Sequence, residues 1–202
     1  MTADDLHRRT ASELAATIWA MTKRVVISLV VLVAGFATVS SVAGGASGSA
    51  TVRDRAVTWA IAQDGLHEAG TSNCGPQIDR WQRDMGLKVP PCRVWCGAFV
   101  HQAFRRAGVQ LSARLIDPDR SYTDALAGRR GLRSIPLDEI QRGDLVFYNF
   151  RKKTHASHLT IARGRPSGGM LSTVEGNTSH AVRLERRGTK YIVLAARVTG
   201  DA

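Results

Sequence analysis

Hydrophobic positions recur at helical spacing in the first half of the chain and in short strand-like runs in the second. Phe99, Val100, Ala103, Phe104 and Ala107 fall on one face of a helix that begins at Cys96 and stops at Gly108. Upstream, Val52, Ala56, Trp59 and Ala60 alternate with Arg53, Asp54 and Arg55, which predicts a helix over about residues 51–64 ended by Gly65. Ile78, Trp81 and Met85 predict a second helix over Gln77–Met85, with Pro76 at its first position and Gly86 as its stop. The stretch from His67 to Gly75 reads as a polar loop, and Val89-Pro90-Pro91 as an extended approach to the Cys96 helix. Residues 109–120 read as loop, followed by Ser121-x-x-Asp124 as a capping box for a short helix that ends at Gly128.

Past Ile135 the texture changes. Leu145–Tyr148, Leu159–Ala162, Leu171–Val174, Ala181–Leu184 and Tyr191–Val198 are rich in strand formers and separated by Gly, Asn, Ser and charged turns. Helices first and strands afterwards predict an α+β fold, with N-terminal helices packed on an antiparallel sheet.

Ahead of this domain, residues 25–43 carry no charge and directly follow Lys23-Arg24. The run fits either a signal-peptide core or one transmembrane anchor, and both place residues 51–202 outside the cytoplasm. Residues 1–24 then form a cytoplasmic or n-region segment, long for a leader and carrying Asp4, Asp5 and Glu13; a start at Met21 would leave an ordinary n-region. Residues 44–50 are a Gly/Ser/Ala linker.

Composition changes the picture in two ways. From residue 51 onward there are 24 Lys and Arg against 14 Asp and Glu, a formal charge of +10, so the surface draws polyanions. Outside a cell these are wall polymers, acidic peptide stems or anionic lipid headgroups. The basic residues are scattered and not interleaved with aromatics, which argues against nucleic acid as a partner. Three cysteines, at 74, 92 and 96, are an odd number for an exported chain, so one pair leaves one thiol free. A Cys74–Cys92 bridge would contribute on the order of 3 kcal/mol and spare Cys96. A Cys92–Cys96 bridge would consume it. With no Cys-x-x-Cys pair and no His pair at ligand spacing, neither a metal nor another cofactor is expected.

The candidate chemistry begins with Cys96, placed in the first turn of its helix, where the dipole and unpaired N–H groups favour thiolate. A thiolate nucleophile needs a base, and the base needs an orienting partner. His158 opens the run His158-Leu-Thr-Ile-Ala162, with His155 as a rival base three residues earlier. Glu175 closes the next run, and Gly176 permits a turn that leaves Asn177 on the same side. His67, His101 and His180 read as loop or helix-surface residues, and Arg142-Gly143-Asp144 as a turn before a strand rather than an adhesion motif.

Together Trp95-Cys96-Gly-Ala-Phe-Val100, Gly143-Asp-Leu-Val-Phe-Tyr148, His158-Leu-Thr-Ile161 and Glu175-Gly-Asn177 resemble, in order and spacing, the CHAP domain (cysteine, histidine-dependent amidohydrolase/peptidase) of papain-like fold. The lead-in Glu68-x-Gly-x-x-Asn73-Cys-Gly-Pro76 is similar to that of many secreted members, so the resemblance spans about residues 52–198. It implies Cys96 as nucleophile, His158 as general base and acid, Glu175 as the group orienting His158 and Asn177 as an auxiliary polar residue. Asn73 or Gln77 is the expected second oxyanion donor beside the Cys96 N–H. Known members cut peptidoglycan, at the muramoyl-peptide amide or within the peptide cross-links. The related NlpC-type endopeptidases share the fold, the Cys and the His, but usually show Asp before the Cys and a second His where Glu175 stands; on these residues the CHAP resemblance is the closer. The chain carries no appended wall-binding repeat, which leaves targeting to the anchor, the positive surface or a partner. The rival reading is a non-catalytic wall-binding protein of the same fold.

Overall fold

The computed structural model describes residues 50–151 and 155–200. All of them belong to the second of the two units into which the chain divides, Gly48–Ala202. The expected leader or anchor at 25–43, the segment before it and the linker up to residue 49 lie outside the described residues. Among the described residues no helix is long and apolar enough to cross a membrane.

Among the described residues, four α-helices precede the sheet. Helix α1, Val52–Ile61, is capped by Thr51, whose hydroxyl accepts the Asp54 N–H at 3.1 Å. Helix α2, Pro76–Asp84, opens on a proline whose missing N–H would be unpaired there anyway. Helix α3, Cys96–Arg106, is buried continuously from Cys96 to Phe104, so it is the central helix rather than a surface helix with one wet face. Helix α4, Pro118–Leu126, begins earlier than the expected capping box. The cap is Asp117, whose side chain accepts the Asp119 N–H at 3.0 Å, and Pro118 follows in the first turn. Ser121 is buried inside the helix, its hydroxyl donating back to the Asp117 and Pro118 carbonyls at 3.0 and 3.2 Å. Residues 109–120 are therefore not all loop: they include a 3-10 turn, Ala113–Ile116, and the start of α4.

Six strands form one antiparallel sheet in the order β1-β6-β2-β3-β4-β5: β1 Leu132–Ile135, β2 Leu145–Tyr148, β3 His158–Ala162, β4 Met170–Thr178, β5 Ala181–Gly188 and β6 Ile192–Val198. The α+β architecture is the one expected. Strand β1 was not expected, because its Leu-Arg-Ser-Ile has only two buried apolar side chains and gains its place by pairing with β6. Strand β4 continues past Val174 to Thr178, which puts Glu175 inside the strand rather than at its end.

Helix α3 lies against α1, α2 and the sheet at β3 and β4. An aromatic cluster fills the junction: the Trp81 ring sits 5.7 Å from Trp59, 5.8 Å from Phe99 and 6.0 Å from Trp95. The opposite face of the sheet carries a smaller core that includes Ile140, Val146, Tyr148 and Leu171, which is why β2 is buried on both faces. Immediately before β2, Asp144 is fully buried and receives Arg197 at 2.8 and 2.9 Å and Arg53 at 3.1 Å, so the Arg-Gly-Asp tripeptide is a structural turn.

Cys74 and Cys92 form a disulfide with Cα atoms 5.5 Å apart, joining the approach to α2 to the approach to α3, and Cys96 is a free buried thiol. Closing an 18-residue separation constrains the unfolded chain by about 3 kcal/mol. The double replacement Cys74→Ser, Cys92→Ser is expected to lower the urea-unfolding free energy by about that amount. An unchanged midpoint would contradict it.

Candidate active site

Cys96 stands at the first residue of α3, and two glycines allow the surrounding backbone to come close. A Cβ on Gly97 would lie 1.6 Å from the Leu115 carbonyl oxygen, so only glycine lets the 3-10 turn cross the first turn of the helix. A Cβ on Gly176 would meet the Phe99 Cβ at 2.5 Å, so glycine also lets β4 lie directly on α3. The second contact brings Glu175 and the start of the adjoining strand β3, His158, to Cys96.

The three side chains form one hydrogen-bonded row. His158 bonds the Cys96 sulfur with one ring nitrogen. Its Nε2 faces Glu175 Oε2 at 3.1 Å, which leaves Nδ1 for the sulfur. Glu175 is fully buried, and its carboxylate accepts Thr173 Oγ1 at 2.6 Å, Thr178 Oγ1 at 2.8 Å and a two-pronged contact from Arg187 at 2.7 and 3.0 Å.

These contacts set the charges. Burial alone would push the Cys96 thiol up, but the hydrogen bond and charge of His158, with the Leu159 and Gly97 backbone N–H groups, hold it below the ordinary thiol value. Burial would depress His158, yet its bonds to Cys96 and Glu175 carry it up to about 9. Burial disfavours the Glu175 carboxylate, but His158, Arg187 and Thr173 outweigh it and keep the group well below the usual carboxylate range. The arrangement favours a thiolate–imidazolium pair backed by a carboxylate.

The row opens into a cleft of about 530 Å³ whose walls include Asn73, Phe150, Arg151, Asn177 and Arg187. Among the described residues no Asp or Glu side chain lines it. Asn73 lines the cleft together with Cys96, whereas Gln77, half-buried on α2, does not line it. Asn177 has left-handed backbone, φ 62°. Its amide lies between Glu68 Oε1 at 3.1 Å and the Trp95 backbone N–H at 3.0 Å. A carboxylate needs a donor and an N–H an acceptor, so Nδ2 faces Glu68 and Oδ1 faces Trp95.

The other histidines sort differently from expectation in one case. His101 is fully buried on α3 with Gln110 Nε2 at 2.9 Å, because no face of α3 is exposed at that point. Burial, reinforced by Arg105, keeps it below the ordinary imidazole value. His155 is engaged elsewhere: Asp119 accepts its backbone N–H at 2.8 Å, and its ring stacks on Tyr122 at 5.0 Å. His180 lies in the turn after β4 and its Nδ1 meets Glu68 Oε2 at 3.2 Å. Two residues of the site were given no role by the sequence, although Glu68 opens the lead-in motif. Arg187 reaches Glu175 although the strand register places Arg183 opposite it. Glu68 sat in what read as an ordinary polar loop, yet it is 2% exposed. Of possible metal ligands, Cys74, Asp79 and Cys92 lie within 4.8 Å of one another, but both sulfurs are committed to the disulfide.

Residues 84–196 match the model of the NlpC/P60 family. Among solved structures the chain is similar to a lipoprotein-like protein of the NLP/P60 family from Staphylococcus aureus, at 14% identity and a TM-score of 0.44, over 74% of this chain and 42% of that one. It is also similar to the peptidoglycan hydrolase RipB from Mycobacterium tuberculosis, at 20% identity and a TM-score of 0.44, over 72% of this chain and 64% of that one. The chain therefore spans less than two thirds of the length of either structure. No curated protein matches it.

Proposed function

The chain belongs to the NlpC/P60 family, and from that premise we propose that it is a bacterial cell-wall hydrolase that cleaves an amide of peptidoglycan through Cys96. The observation that carries this reading is the hydrogen-bonded row Cys96–His158–Glu175 on the wall of an open cleft. Glu175 as third member, with Asn177 two residues on, is the CHAP-like feature within that family reading. The bond cut is the muramoyl–alanine amide or an amide of the peptide stems and cross-links. The protein works outside the cytoplasm, secreted or held by residues 25–43, and its basic surface favours anionic wall polymers.

In this mechanism the Cys96 thiolate attacks the scissile carbonyl carbon, and the oxyanion takes the Cys96 backbone N–H and the Asn73 side chain as donors. His158 passes its proton to the departing amine nitrogen, leaving an acyl-thioester on Cys96. Neutral His158 then takes a proton from water as its oxygen attacks the thioester carbonyl. The acid product leaves, and the thiolate–imidazolium pair is restored. Glu175 holds Nε2 and stabilises the imidazolium without itself changing protonation.

The reading is tested by incubating the protein with purified peptidoglycan and weighing the released fragments. Release of fragments with a new carboxyl and a new amine end is expected, and their masses identify the bond. Binding to the wall without release would replace the hydrolase reading with the non-catalytic one.

A pH profile follows from the same pair. Activity requires thiolate and imidazolium together, so kcat/KM rises as pH passes the lowered Cys96 value and falls as His158 loses its proton near 9. Glu175→Gln removes a contact that raises His158, so the alkaline limb moves to lower pH and the rate drops by about 10²-fold or more. An alkaline limb that stays in place would contradict the role given to Glu175.

A further inference from the structure

Cys96 and His158 belong to different layers of the fold, the nucleophile to a helix and the base to the sheet. Their hydrogen bond tolerates displacements of only about half an ångström, so something must fix the helix start against the strands. The helix does not do this with its own cap, since Trp95 at the N-cap makes no side-chain capping bond. A buried carboxylate does.

We propose that Glu68 is a positioning residue of this site, tying the residue before Cys96 to the β4–β5 hairpin and so setting Cys96 against His158. The proposal rests on reading Cys96 and His158 as the reacting pair. Glu68 Oε1 accepts the Trp95 indole N–H at 2.9 Å, and Oε2 accepts the Asn73 backbone N–H at 2.9 Å. Asn177 joins the two sides, donating to Glu68 and accepting from the Trp95 backbone N–H. The Glu68 backbone meanwhile belongs to the hairpin side: its N–H donates to the His180 carbonyl at 2.9 Å, while Gly65 and Leu66 exchange bonds of 3.0 and 2.7 Å with Val182. One residue thus holds the peptide next to Cys96, the cleft wall at Asn73 and the turn two residues beyond Glu175.

A carboxylate buried to this degree is costly unless fully bonded, and an apolar side chain would fill the same space. What an apolar residue lacks is direction: the indole and the Asn73 amide are each aimed at a separate oxygen. Glutamine has the same shape but only one acceptor oxygen, so Glu68→Gln sets an NH₂ group against one of those two donors.

The test reads the rate at which iodoacetamide alkylates Cys96, through thiolate displacement of iodide, as a function of pH. Wild type is expected to show a thiolate midpoint below the ordinary thiol range. Glu68→Gln is expected to raise that midpoint by about one pH unit, to slow alkylation at neutral pH about tenfold, and to lower kcat on peptidoglycan with KM little changed. The other groups that set the Cys96 charge are His158 and, behind it, Glu175 and Arg187, none of which the substitution alters; His180 faces the far oxygen of Glu68. A midpoint unchanged from wild type overturns the proposal, whether or not stability or hydrolysis falls. Should Glu68→Gln not fold, Trp95→Phe removes the indole donor alone, and an unchanged midpoint in that variant overturns it equally. Alkylation involves no peptidoglycan, so a protein that shows these shifts yet releases no wall fragments refutes the hydrolase reading and supports this one.

Discussion

Replacing Cys96 with alanine abolishes release of peptidoglycan fragments, a loss of roughly 10³-fold or more, while the protein still folds. Every step of the proposed reaction passes through the sulfur, and no second thiol can substitute because Cys74 and Cys92 are bonded to each other. His158 alone is a poor replacement: without the sulfur it loses the hydrogen bond and charge of Cys96, keeps only Glu175 as a partner, and has no nucleophile through which an acyl-thioester could form. Alanine leaves a small void beside Leu159, so the expected stability change is within about 1 kcal/mol. Fragment release is measured by mass and folding by thermal unfolding. Release at the wild-type rate by a folded Cys96→Ala protein would refute the nucleophile assignment.

The largest expected effect on stability is one residue further on. Gly97→Ala is expected to cost about 3 kcal/mol or more, enough to unfold much of the population near body temperature. Its Cβ would lie 1.6 Å from the Leu115 oxygen, 2.3 Å from the Leu115 carbonyl carbon and 2.9 Å from the Ile116 Cα, all of them backbone. No rotamer change relieves such a contact, so either the 3-10 turn or the first turn of α3 must move. Both flank Cys96, and the surviving folded fraction should lose alkylation rate as well. Gly164→Ala is the matched control, since a Cβ there meets nothing within 4 Å. Urea midpoints decide the matter, and equal midpoints for the two variants would contradict this account of the helix–turn contact.

These contacts also explain which parts of the molecule were legible in the sequence. Local signals carried the central helix and the strands: apolar spacing placed α3 to within a residue or two, and a β-rich run placed His158 at the start of β3. Cys96 could be read as reactive because a helix start is a local electrostatic feature. Glu175 was legible as the polar end of a strand-like run, with its role sharpened by the family resemblance, but its burial was not, because β4 runs on where Gly176 suggested a turn. Arg187 and Glu68 depend on contacts between residues 12 and 27 positions apart, which no spacing rule reports. The misread α4 start has a simpler cause: both Asp117-Pro118 and Ser121-x-x-Asp124 are valid helix openings, and the first proline-containing one won. His101 was misjudged because the amphipathic pattern presumed a wet face that α1, α2 and the sheet together cover.

The family match narrows the chemistry, and in this chain the carboxylate beside His158 is clamped by Arg187 and two threonines. The central claim is that the single free thiol is the reacting atom of a wall hydrolase. It is tested most directly by carboxamidomethylating the protein to graded extents and plotting peptidoglycan hydrolysis against the fraction of Cys96 labelled. The account predicts a straight line that reaches zero activity at one label per chain, all of it on Cys96. Hydrolysis that persists in fully labelled protein would contradict it.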